Sequence, residues 1–294
     1  MDIRALLFGL AFAAMWSSAF TSARIIVAEA PPLFALALRF MISGVLAVGI
    51  AKIMGQSLRF TRTQWRAIIV FGVCQNALYL GLNFVAMQWI EASLAAIIAS
   101  TMPLLVALAG WTIFGEQPRP LAILGLVAGV IGVGVIMGAR LNGGVDLTGV
   151  ALCVVGVIAL TVATMSMRGA SSGGNFMMVV GVQMLVGSAA LWPFALSLET
   201  LEVTLSLKLI LAFIYTTLVP GLAATFVWFL LVNRIGAVRA ATFHFLNPFL
   251  GVAFAAVLLG EALKMQDIFG VAIITFGILA VQLARIERVE GKKA

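Results

Sequence analysis

The sequence predicts an all-α polytopic membrane protein: ten transmembrane helices forming two inverted five-helix repeats around a central cavity. Three observations carry that prediction. Of 294 residues, 63% are hydrophobic and 10% charged, whereas soluble domains carry about 25% charged residues. Uncharged apolar runs recur along the whole length, each at or above the roughly 18 residues a helix needs to cross a bilayer. Finally, Ala92–Glu116, ASLAAIIASTMPLLVALAGWTIFGE, returns as Ala237–Glu261, AVRAATFHFLNPFLGVAFAAVLLGE, at an offset of 145 residues. Without a gap, that offset pairs Pro103 with Pro248, Glu116 with Glu261, Phe84 with Phe229, Gly125 with Gly270 and Gly132 with Gly277. The chain is a duplication.

Ten spans fall at about 3–27, 33–54, 65–88, 92–114, 119–139, 147–168, 175–197, 207–232, 238–259 and 265–285. The first is too long for a signal peptide and another span follows at once, so it is read as retained. With the N-terminus in the cytoplasm, the inner segments collect thirteen basic residues: Arg4, Lys52, Arg59, Arg62, Arg66, Arg119, Arg168, Arg234, Arg239, Arg285, Arg288, Lys292 and Lys293. The outer segments hold four, Arg24, Arg140, Lys208 and Lys264. That bias places both termini in the cytoplasm, and it explains the net charge of +7 without invoking nucleic acid. Cys74 and Cys153 both lie within apolar runs and do not read as a disulfide framework.

The repeats divide the chain into residues 1–140 (spans one to five) and 146–288 (spans six to ten). Five is odd, so the second repeat enters the membrane from the opposite side. Inverted repeats of this kind are the architecture of secondary transporters, which open a midplane site to each side in turn. A channel can also be duplicated, but inversion favours a carrier.

Pro103 and Pro248 fall near the middles of equivalent spans. Proline removes a helical hydrogen bond and bends the helix, so the pair is expected to bend both halves around a central site or to shape their packing. Pro220, followed by Gly221, marks a further bend in the eighth span. Trp65, Trp89, Trp111 and Trp192 lie near span ends, as an interfacial aromatic belt requires. Trp16 and Trp228 lie deeper, which calls for a packing role or a ligand.

Trp16-Ser17-Ser18-Ala19-Phe20, Pro31-Pro32-Leu33, Arg39-Phe40, and the stretch from Ala95 through Pro103 to Gly115-Glu116, with its copy from Ala240 through Pro248 to Gly260-Glu261, together resemble the EamA pattern of the drug/metabolite transporter superfamily. The resemblance covers the whole chain as two repeats. It implies an inverted five-plus-five fold, a central cavity and export of small metabolites across the bacterial inner membrane. The branch it looks most like is the YddG-type exporters of aromatic and other neutral amino acids. One departure is informative. The four-span multidrug members carry a glutamate in their first helix, whereas no acidic residue stands between Ile3 and Val27 here. Proton-coupled export of cationic drugs through such a carboxylate is therefore disfavoured.

Polar side chains within spans mark candidate sites, because each must face the bundle or water. Residues three or four apart share a helix face, which groups Asn76, Tyr79 and Asn83 on the third span. The first span offers Trp16 beside Ser17, Thr21 and Arg24. The fourth adds Ser100 and Thr101; the sixth Thr161, Thr164, Met165 and Arg168; the eighth Tyr215 and Trp228; the ninth His244 and Asn247 just before Pro248. The serines and threonines also suit helix–helix hydrogen bonding. The substrate-binding set expected is Trp16, Ser17, Asn76, Tyr79, Asn83, Thr101, Thr164, Met165, Tyr215, Trp228, His244 and Asn247, with Pro103, Pro248 and Pro220 as bends. Arg39 is expected to snorkel outward or to pair with a loop carboxylate. Glu116 and Glu261, each near the start of the helix that follows it, are expected to stabilise that hairpin or else to make a gate contact.

One histidine, two separated cysteines and no acid pair within the spans supply neither a metal site nor a catalytic dyad, so no enzyme, cofactor or metal is expected. The expected partners are a small-molecule substrate and the lipid bilayer, with no nucleic acid, and nothing in the sequence calls for a second copy. The reading is an alternating-access exporter of small neutral metabolites, foremost amino acids. Export of drugs or other metabolites on the same fold is the alternative, with a channel behind it.

Overall fold

The computed structural model describes residues 2–166 and 174–290, with side chains described as far as residue 286. Arg168, Lys292 and Lys293 lie outside the described residues, as does the side chain of Arg288. Among the described residues, ten helices are long and apolar enough to cross a membrane: α1 Ile3–Val27, α2 Pro32–Ile53, α3 Arg62–Ala86, α4 Ala92–Thr112, α5 Pro120–Asn142, α6 Leu147–Ser166, α7 Phe176–Leu198, α8 Leu207–Ile235, α9 Ala237–Leu259 and α10 Met265–Ile286. No strand occurs among the described residues.

Local chemistry sets the helix ends. Thr61 and Gln64 form a reciprocal capping box, so α3 begins at Arg62 rather than near residue 65. Pro32 and Pro120 each open a helix, where the N–H they lack has no helical partner to lose. Gly115 and Gly260 take positive φ (64° and 69°) just past the ends of α4 and α9. Beyond them, Glu116 N–H reaches back six residues to the Gly110 carbonyl at 3.0 Å and Glu261 N–H likewise to the Ala255 carbonyl at 3.4 Å, so the left-handed glycine turns the chain back over the last helical turn and satisfies a free carbonyl. The two caps are 145 residues apart bond for bond.

The expected bends are more specific than kinks. Helix α4 breaks at Thr101 and restarts at Met102. Helix α9 passes through a 3₁₀ turn, Thr242–Leu246, and restarts at Asn247. Pro103 and Pro248 are the second residues of the restarted segments, where a missing N–H is tolerated. Pro220 sits in a π-helical segment, Thr217–Ala223, and α3 carries its counterpart, Gly72–Tyr79, at the same 145-residue register.

By internal contacts the residues fall into two compact units that cut across the repeats. The first takes in residues up to Thr21, Ile90–Leu147 and residues from Val227 onward. Within it α5 packs along α10 through glycines: a Cβ on Gly125 would lie 2.6 Å from the Gly277 carbonyl oxygen, and one on Gly132 2.9 Å from that of Gly270. Contact this close joins helices by packing and carbonyl–Cα approach where lipid offers no hydrophobic drive. Arg140 at the end of α5 ties this unit together by pairing with Glu91 and, at 3.0 Å, with buried Asp267.

The second unit takes in Ser22–Trp89 and Thr148–Phe226. Its centre is α2 against α7, where Ala47, Ala51, Met178, Val179 and Val182 pack with Ile68 of α3. Glu199 caps α2 by accepting from the N–H groups of Leu33 and Phe34 at 2.8 Å each, and Gln56 accepts from Met178 N–H at 2.9 Å near the start of α7. Outward residues are apolar in both units: Val130 is 74% exposed, Phe194 57% and Val257 80%, surfaces matched to hydrocarbon rather than water.

Candidate functional site

In the first unit the site grows from one helix irregularity, the 3₁₀ turn of α9. Phe12 and Trp16 stand four apart on α1 and share a face, with ring centroids 5.7 Å apart. Trp228 of α8 approaches Phe12 at 4.6 Å, and His244, carried in by the 3₁₀ turn of α9, lies 5.3 Å from Phe12 and 5.2 Å from Trp228. The His244 contacts are edge-on, the arrangement that aromatic quadrupoles favour. His244 Nδ1 faces the Ala241 carbonyl at 3.1 Å, which accepts only, so Nδ1 carries a proton. One residue beyond Trp16, the Ser17 hydroxyl lies 3.5 Å from both the backbone carbonyl and the side-chain oxygen of Asn247. Trp16, Ser17, Trp228, His244 and Asn247 are thus brought together. Thr101 instead turns its hydroxyl to the Ile98 carbonyl (2.7 Å) at the α4 break.

Phe12 belongs to this cluster and was not among the residues expected. A search for polar groups passes over it; its four-residue spacing from Trp16 was the available signal.

In the second unit the α3 stripe is buried: Asn76 is 4% exposed, Tyr79 2% and Asn83 1%. Asn76 donates to the Gln183 carbonyl of α7 at 2.9 Å. Asn83 donates to the Tyr79 carbonyl at 2.8 Å and accepts from the Cys153 thiol of α6 at 3.3 Å. Gly156 makes room for this contact, since a Cβ there would lie 2.8 Å from Asn83 Nδ2. The polarity of Asn76 is therefore spent on α7, and that of Asn83 on its own helix backbone and on Cys153 of α6. Thr164 donates to the Leu160 carbonyl at 2.8 Å, Met165 beside it is half-buried, Tyr215 is 38% exposed and Pro220 is buried within its π segment.

Arg39 departs from expectation. It neither snorkels nor meets a loop carboxylate: it is 5% exposed, and its Nε donates to the Thr216 carbonyl of α8 at 3.2 Å. Glu261 also acts elsewhere than expected. It caps not the helix that follows it but α4, accepting from Ala92 and Ser93 N–H at 2.8 and 3.0 Å.

The profile of the EamA-like transporter family matches this chain twice, over residues 3–138 and 147–283. The chain is 25% identical over 268 residues to the Bacillus subtilis (strain 168) uncharacterized transporter YvbV, covering 91% of this chain and 88% of that protein. It is 27% identical over 289 residues to the Escherichia coli (strain K12) uncharacterized inner membrane transporter YedA, covering 95% and 91%. A crystal structure superposes with a TM-score of 0.71 at 22% identity, over 99% of this chain and all of that one, a likeness of fold.

Proposed function

Because the chain belongs to the EamA-like transporter family it is a membrane transporter and not an enzyme, and we propose that it exports small neutral metabolites, foremost amino acids with aromatic or other apolar side chains, by alternating access. The similarity to an inner membrane transporter supports the bacterial inner membrane as its site, and the distribution of basic residues supports cytoplasmic termini.

One observation carries the substrate class: the cluster of Phe12, Trp16, Trp228 and His244 beside Ser17 and Asn247. Three rings suit an apolar side chain, and the imidazole, hydroxyl and amide suit polar ends. Small-ligand sites share this composition, mostly apolar with a few placed polar groups. The helix breaks at Thr101 and at Thr242–Leu246 are assigned to gating, because Pro103 and Pro248 lack the N–H that would otherwise join each restarted segment more firmly to the turn before it. The candidates of the second unit, Asn76, Tyr79, Asn83, Thr164, Met165 and Tyr215, are assigned to substrate contact as a separate set, with Pro220 as a bend.

Counterflow into proteoliposomes tests the proposal, with labelled phenylalanine or leucine outside and the unlabelled amino acid inside. Transient accumulation is expected, which a channel does not give. Replacing Trp228 or His244 by Ala is expected to weaken apparent affinity by about 2- to 10-fold each, the range of one aromatic contact. Tyr79→Ala tests the second set in the same assay. Folded protein that exchanges no neutral amino acid would remove the amino-acid assignment.

A further inference from the structure

Arg39 lies seven residues into α2, about 10 Å along the helix from its start. Its Nε donates to the Thr216 carbonyl, at the point where α8 passes into the π-helical segment that carries Pro220. Its guanidinium carbon also lies 5.1 Å from the Phe40 ring centre. These two contacts are all it makes among the described residues; neither carries a full negative charge.

The remaining donors point to a ligand. A Cβ on Gly221 would lie 3.3 Å from Arg39 Nη2 and 3.6 Å from the Ser43 hydroxyl, so those two groups converge beside a residue with no side chain. Ser43 is completely buried, and its hydroxyl has no hydrogen-bond partner among the described residues. A cation within a membrane helix is costly unless paired, and so is a buried hydroxyl left unbonded. The two lie on the same side, short of one acceptor.

Resting on the transporter reading above, we infer that Arg39 and Ser43 bind the carboxylate of the transported solute. A guanidinium presents parallel N–H groups that match a carboxylate's two oxygens, and the Ser43 hydroxyl supplies a further donor. One fixed cation balances a monocarboxylate and leaves a phosphate dianion unbalanced. The pair therefore selects monocarboxylates and zwitterions over the amides and amines of the same shape. Arg39 then has two roles: Nε ties α2 to the Thr216 carbonyl of α8, and the Nη face reads the solute.

The test uses purified full-length protein and four probes: phenylalanine, phenylalaninamide, phenylacetate and phenylacetamide. Binding is followed by thermal stabilisation. Both acids are expected to bind at least about tenfold more tightly than their amides, the strength of a charge-assisted pair. Arg39→Gln is expected to erase that difference and Arg39→Lys to keep part of it. Ser43→Ala is expected to weaken the acids several-fold and leave the amides unchanged. A purely structural arginine would alter stability without altering the acid-to-amide ratio. If Arg39→Gln does not fold, the Lys and Ser43 variants still decide. Equal binding of acid and amide, a preference that survives Arg39→Gln, or no binding of either acid would overturn the inference. Phenylacetate binding without exchange of any amino acid would keep the Arg39 site and remove the amino-acid assignment. Phenylalanine exchange blocked equally well by its amide would do the reverse.

Discussion

Gly277 has no room for a single methyl group. A Cβ there would stand 2.6 Å from the Gly125 carbonyl oxygen and 2.9 Å from the Gly129 nitrogen, both backbone atoms that cannot swing aside. Gly277→Ala is expected to destabilise the protein by about 1–3 kcal/mol, the usual cost of overpacking, read as a fall of several degrees in the unfolding midpoint in detergent. Gly134, by contrast, has nothing within 4 Å of its Cβ position. Gly134→Ala should be neutral or gain up to about 1 kcal/mol, because alanine favours the helix interior. The sequence showed which glycines recur at the 145-residue register but not which of them touch a neighbour. The same limit holds for polar residues. Asn76 and Arg39 were both visible as costly groups in apolar helices, yet their partners, the carbonyls of Gln183 and Thr216, are backbone atoms that no residue type announces.

Glu261 acts on α4 by occupying its first two free N–H groups. Glu261→Ala should cost about 0.5–2 kcal/mol, as for other lost helix caps, while Glu261→Gln should cost less because an amide oxygen can still accept. Arg140 makes a stronger claim on α5 and α10. Its side chain is 8% exposed and that of Asp267 1%, and among the described residues Arg140 Nε and Asp267 Oδ1 have no partner. Arg140→Met alone strands a buried carboxylate and should cost about 3–5 kcal/mol, whereas adding Asp267→Leu should recover most of the loss. Thermal melts of the two variants test this; a double variant no more stable than the single one would show that the pair does more than neutralise itself. The existence of every helix was legible from its apolar run, but ends were legible only to within a few residues: the capping box that starts α3 at Arg62 lies in a polar stretch that the apolar run leaves out. The π segments in α3 and α8 and the 3₁₀ turn in α9 were not legible, because each trades one backbone hydrogen-bond pattern for another without changing composition.

Ten spans and their duplication were readable because lipid imposes one length and one polarity on every crossing, and because 145 residues separate the copies without a gap. The division into units that mix the two repeats was hidden, since it depends on which helices pack. Orientation remains open to direct test: reporters that report only in the cytoplasm should be active at both termini, and an inactive one at either end would reverse the assignment. The glycine contacts between α5 and α10 bear on descent. Adding 145 to Gly125 gives Gly270, and taking 145 from Gly277 gives Gly132, so the contact of Gly125 with Gly277 and that of Gly132 with Gly270 are images of each other. In a half-length ancestor present in two opposite orientations, one pair of glycines on one helix would have made both. The joint between α5 and α10 is thus its own image under exchange of the two repeats: each half supplies the same two glycines to it, so one sequence pattern builds both sides of the seam.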